Sequence, residues 1–206
     1  MNPNWAEENL QTIRTLMERS AVYRRALAPI MILAGTLGLM AAGSGLLFHM
    51  DSARQFCGLW LCTAILAIFG SFFIARRQSI KDHESFWSPP TRRVAQALLP
   101  PLLVGMCLGV FPAFTENSAG LTFVSTLVWI LFYGCALHAA GFFMPRGIKI
   151  FGWLFIVSGC GLFYASIADW IDLDNKAHWL MGFFFGVLHL VYGAYLYLTE
   201  KKNPVA

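Results

Sequence analysis

Read from its amino terminus, the chain alternates long apolar stretches with short polar ones. Six of the stretches are long enough to cross the hydrocarbon core of a bilayer, whose thickness of about 30 Å takes about 20 helical residues. They cover residues 27–48, 55–75, 94–114, 119–143, 148–168 and 178–198. The pattern predicts an all-α, polytopic membrane protein of six transmembrane helices arranged as three hairpins, with a domain spanning 26–199. The third stretch is the least regular, because Pro100 and Pro101 remove two amide donors in its middle and Pro112 a third near its end; it reads as a kinked span.

Three further segments lie outside the spans, and one of them, residues 76–93, mixes bases with Pro89, Pro90 and Trp87 and reads as an inner loop held to anionic headgroups. In residues 1–25, Asn4 is placed to cap a helix with Glu7 at its third position. Leu10, Ile13, Met17 and Ala21 then form one apolar stripe, so a short amphipathic helix is expected. It lies on the inner leaflet or packs under the bundle, or, over residues 5–22, offers a docking surface to a cytoplasmic protein. Residues 200–206 form a short polar tail.

Composition sharpens the class. Of 206 residues, 57% are hydrophobic and only 13% charged, against about 25% charged in soluble domains. The net charge of +4 would fit a nucleic-acid binder only if it lay on one face of a soluble body. Here the bases sort by topology. Arg14, Arg19, Arg24 and Arg25 precede the first span, and Arg76, Arg77, Lys81, Arg92 and Arg93 join the second to the third. Arg146 and Lys149 join the fourth to the fifth, and Lys201 and Lys202 follow the sixth, leaving only Arg54 and Lys176 for the other side. By the positive-inside rule both termini are cytoplasmic, in the cell membrane. No carboxylate falls within the hydrocarbon, which disfavours a carboxylate-driven pump. Trp60, Trp87, Trp153, Trp170 and Trp179 fall near span ends, as interfacial aromatics do. The five cysteines are odd in number and lie in apolar runs, which makes a disulfide framework improbable. The amino terminus has no h-region or small-residue cleavage site, so no cleavable leader is expected.

With charges outside the spans, histidine is the remaining chemistry. At about 100° per residue, His178, Gly182, Gly186, His189 and Gly193 share one stripe of the sixth span. Gly134, His138 and Gly141 share one on the fourth; Gly38, Ala42, Gly45 and His49 share one on the first; Gly152, Gly159 and Ser166 mark the fifth. Each histidine is therefore expected to face another helix. The simplest account is close helix packing, with the histidines hydrogen-bonding across it. A proton-handling role for His138 or His189 is the next. A third is bis-histidine ligation of haem b, pairing His138 with His189 and His49 with His178. In histidine placement alone, this layout resembles transmembrane b-type cytochromes, which implies an electron carrier; no motif accompanies the likeness.

Two weaker constellations complete the reading. Asp169, Asp172 and Asp174 lie near His178 and supply oxygen enough for a divalent cation, although the connection lacks the glycine and terminal glutamate of an EF-hand. A solvated acidic loop is the plainer account. Pro100, Pro101 and Gly105 are placed to line a substrate pathway if the third helix is broken, or to be purely structural. No nucleophile elbow, P-loop, dinucleotide fingerprint or zinc-protease motif occurs, so an enzyme is not expected. The expectation is an integral membrane protein, without nucleic-acid partners, engaged in small-solute transport or in signalling or accessory work with a cytoplasmic partner.

Overall fold

A computed structural model describes residues 26–81, 83, 86–115, 121–168, 170 and 176–200. The predicted amino-terminal helix, the carboxy-terminal tail and the candidate ligands Asp169, Asp172 and Asp174 lie outside these residues. Among the described residues the protein is all-helical, with six helices long and apolar enough to cross a membrane. We number them α1 (Ala26–Leu47), α2 (Ala53–Lys81), α3 (Pro89–Val110), α4 (Leu121–Ala140), α5 (Arg146–Ile167) and α6 (Ala177–Thr199).

The helices correspond one for one to the six apolar stretches, and the differences are at the ends. Helix α2 continues six residues beyond its apolar run, through Arg76, Arg77 and Lys81, because a helix need not stop where hydrocarbon does. Helix α3 starts earlier, with Pro89 and Pro90 in its first turn, where missing amides cost nothing. It continues through Pro100 and Pro101 and tightens into a 3-10 turn, Phe111–Phe114.

Glycines decide which helices meet. On α1, a Cβ at Gly35 would lie 2.7 Å from Leu190 Cγ, and one at Gly38 would strike the backbone of Phe185. Reciprocally, a Cβ at Gly186 would press on Leu39, one at Gly182 on Ala42 and one at Gly193 on Ile32. As the α1 number falls the α6 number rises, so the pair is antiparallel and in backbone-to-backbone contact over most of its length. Helices α4 and α5 repeat the arrangement. A Cβ at Gly134 would be 2.8 Å from Phe155 Cβ, and one at Gly152 2.6 Å from the backbone nitrogen of His138. Small residues let helix backbones approach where lipid supplies no hydrophobic drive, as the glycine stripes predict.

Around these interfaces sit three apolar clusters, the smallest formed by Phe123 and Leu127 of α4 with Leu162 and Leu180 packed against them. The largest joins Leu27 and Met31 of α1, Ile130 and Leu137 of α4, Ile148, Phe151 and Phe155 of α5, and Phe184 and Leu196 of α6. The second joins Ala41 and Ala42 of α1, Phe56, Cys57 and Trp60 of α2, and Ala177 and Met181 of α6. Helix α2 is anchored chiefly by its first two turns. Cys57 Sγ donates to Gly109 O at 3.5 Å, and beyond Trp60 only Ser79 is buried. Outward from the core, every helix presents large apolar side chains, among them Leu47, Phe69, Phe73, Leu103, Val124, Val157 and Val191.

Candidate functional site

The sixth helix is not uniform. It begins as an α-helix over Ala177–Met181, widens to a π-helix over Gly182–Val187 and resumes as an α-helix over Leu188–Glu200. In the widened turn Leu188 N–H reaches back five residues to Phe183 O. Such segments are commonly found at functional sites, and here the π turn leads directly into His189.

His189 is 1% exposed. Its Nδ1 lies 2.9 Å from Phe184 O, and its Nε2 lies 2.7 Å from the hydroxyl of Tyr133 on α4. A carbonyl can only accept, so in the neutral ring the proton is on Nδ1, Nε2 is the acceptor, and Tyr133 donates. The ring is enclosed by Tyr133, Phe151, Phe155 and Phe185, with centroids 5.2 to 6.0 Å away. Every polar atom of the pair is therefore satisfied inside an aromatic box contributed by α4, α5 and α6.

His178, 4% exposed, forms a second polar centre near the start of α6. Trp60 Nε1 donates to its Nδ1 at 3.3 Å, and its Nε2 donates to Met50 O at 3.1 Å. Indole is a donor only, so Nδ1 accepts and the proton sits on Nε2, the opposite tautomer to His189. The ring packs edge-on to Phe56, with centroids 4.9 Å apart, and against Gly45 of α1. Trp60 is thus not the interfacial aromatic its position near a span end implied; it is 4% exposed and holds α2 to α6. Trp87, Trp153, Trp170 and Trp179 are exposed.

His49 does not face another helix, contrary to its place on the glycine stripe of α1. The helix ends at Leu47, and His49 is exposed with φ 49°. Met50 N–H returns to Gly45 O at 3.0 Å, so His49 occupies the left-handed position of a Schellman turn. That turn aims Met50 O at His178. His138 is half-buried between Phe142 and Trp153, with centroids 5.4 and 5.1 Å away. Its Nδ1 and the Tyr192 hydroxyl are enclosed polar atoms with no hydrogen-bond partner among the described residues.

The four histidines consequently have four different sets of neighbours. His189 and His178 use both ring nitrogens within the protein, His49 is at the surface, and the ring of His138 sits between aromatic neighbours of its own. Bis-histidine haem ligation does not fit, since iron would have to displace Tyr133 from Nε2 of His189 and a macrocycle would have to replace the rings around it. Among the described residues no three His, Cys, Asp or Glu side chains gather closely enough to hold a metal ion. On α3, Pro100 is exposed, and Gly105 is buried where a Cβ would lie 2.7 Å from Phe132 Cβ. Gly105 therefore serves the contact between α3 and α4.

Tyr133 and the π turn are the elements that sequence reasoning missed. A usable signal was present: a phenol in the middle of an apolar span requires a partner, and a histidine on a neighbouring span is a suitable one. Nothing comparable announces a π turn. Among the described residues, fold and site together define an all-helical bundle in which a partly buried tyrosine of α4 pairs with a buried histidine of α6. Comparison with known protein families, with curated proteins and with solved structures finds no match.

Proposed function

We propose that the chain is a multi-pass integral protein of the cell membrane with both termini cytoplasmic, and that it acts as a non-enzymatic signalling or accessory component. The observation that carries this reading is the apolar periphery. All six helices turn Phe, Leu, Ile or Val side chains outward, while soluble monomers rarely expose contiguous apolar patches above a few hundred Å². Sidedness rests on the bases, thirteen of which fall on one side and two on the other. The amphipathic segment 5–22 is the natural contact for a cytoplasmic partner. An accessory role is supported by the surroundings of His189, where interlocked aromatic rings enclose an imidazole whose two nitrogens are already paired.

Small-solute transport is the second reading. It is favoured by Pro100 and Pro101 in α3 and by the π turn in α6, both places where carbonyls lose their regular helical donors. The two are separable. Full-length protein in proteoliposomes should resist carbonate extraction and carry epitope tags at both ends on the same side. An accessory protein moves no solute in a broad uptake panel. Uptake that changes in Pro100→Ala, an exposed position outside the packed core, would replace the first reading with the second.

A further inference from the structure

Helix α2 is longer than a membrane requires. Its 29 residues rise about 43 Å, against about 30 Å of hydrocarbon. With the Arg54 end held by a 3.5 Å hydrogen bond from Nε to Ala113 O, the surplus falls at the other end, beyond Ala75. Arg76, Arg77 and Lys81 lie there, all exposed. The chain then returns. Phe86 packs edge-on against Phe72 of α2, with centroids 4.9 Å apart, and Trp87 stacks on Phe86 while remaining 59% exposed. Thr91 Oγ1 donates to Phe86 O at 2.9 Å and fixes this turn on the first turn of α3, where Arg92 and Arg93 are also exposed. Five exposed bases thus flank one exposed indole at one end of the bundle, against two carboxylates, Asp82 and Glu84, in the same connection.

We propose that this collar, formed by the end of α2 and the start of α3, binds the phosphates of anionic phospholipid headgroups, with Trp87 seated at the headgroup level. The chemistry is complementary on each count. Guanidinium groups pair with phosphate in bidentate fashion, indole prefers the interface between hydrocarbon and water, and each base near an anionic leaflet adds about fivefold to binding. The inference rests on the membrane reading above but not on which side the collar faces.

The test uses full-length protein in vesicles of phosphatidylcholine with a minor fraction of phosphatidylglycerol, one lipid or the other carrying bromine on its upper acyl chain. The Trp87 signal is the difference between wild type and Trp87→Phe. Brominated phosphatidylglycerol should quench it more strongly than equal brominated phosphatidylcholine. That excess should fall at least fivefold in the combined variant Arg76→Gln, Arg77→Gln, Arg92→Gln, Arg93→Gln and stay unchanged in Arg54→Gln. Raising the salt should lower the excess in unmodified protein, a measurement that needs no variant to fold. Inorganic phosphate at equal ionic strength should do no more than the salt itself; displacement by phosphate alone would mean a free-anion site and overturn the lipid assignment. Equal quenching by the two lipids in wild type, or an excess that survives loss of the four arginines, also overturns it. If the protein fails to float with vesicles, the membrane reading falls as well; if it floats without lipid preference, only the collar falls.

Discussion

Replacing Tyr133 by Phe removes one oxygen and no ring, which makes the central pair the cleanest place to test the structure. The hydroxyl lies 2.7 Å from Nε2 of a histidine that is 1% exposed, and in Tyr133→Phe that nitrogen becomes a buried acceptor without a donor. In a water-soluble protein such an orphan costs about 1–3 kcal/mol. In membrane bundles measured pair couplings average about 0.6 and reach about 1.7 kcal/mol, because the unfolded helices find other partners in lipid. The other rings around His189, Phe151, Phe155 and Phe185, carry no hydrogen-bond donor, which argues for the upper part of that range. We expect Tyr133→Phe to destabilise by about 1.5 kcal/mol and a coupling with His189→Leu of about 1 kcal/mol, roughly fivefold in the folding equilibrium. His189→Leu also frees Phe184 O, but it does so in both backgrounds, and the effect cancels in the cycle. Reversible unfolding in mixed micelles, titrated with dodecyl sulfate and followed by circular dichroism, measures all four proteins. Additivity within about 0.3 kcal/mol would refute the pairing of Tyr133 with His189.

The remaining predictions concern packing, the turn after α1 and colour. Gly38→Val places side-chain atoms against the Phe185 backbone and should cost at least about 2 kcal/mol or prevent folding, whereas Gly161→Ala, with open space around it, should stabilise by about 0.5–1 kcal/mol; equal effects in thermal unfolding would contradict the glycine interfaces. His49→Gly relieves a left-handed non-glycine residue and should raise stability by about 1 kcal/mol, unless the turn holding Met50 O against His178 is not formed. Trp60→Phe deprives His178 Nδ1 of its donor, and the expected loss of about 1–2 kcal/mol should appear in the same denaturation assay; a neutral outcome removes the Trp60–His178 hydrogen bond from the contact between α2 and α6. Because His189 and His178 have committed their ring nitrogens, protein purified from haem-replete cells should be colourless, and a Soret band lost in His189→Ala would restore the electron-carrier reading.

How far the one-dimensional text reached can be judged from particular residues. Six helices were legible because length and apolarity are properties of a contiguous segment, and a misplaced span would have buried some of the fifteen bases. The glycine rows on α1, α4, α5 and α6 were legible too, since helical periodicity assigns a residue to a face without knowing the neighbour. What the neighbour is depends on register between helices far apart in sequence. That register decided that His178 meets Trp60 and Met50 rather than His49, that His189 meets Tyr133 rather than His138, and that Gly105 accommodates Phe132. The π turn in α6 belongs to the same category: it lies where the helix meets α1 through Gly182 and Gly186 and leads toward the contact of His189 with α4, and no motif in Gly182–Val187 announces it. Hydrophobic segmentation is a local quantity and can be read along the chain; the partner of a buried polar atom is a relation between segments, and it exists only once the helices are packed.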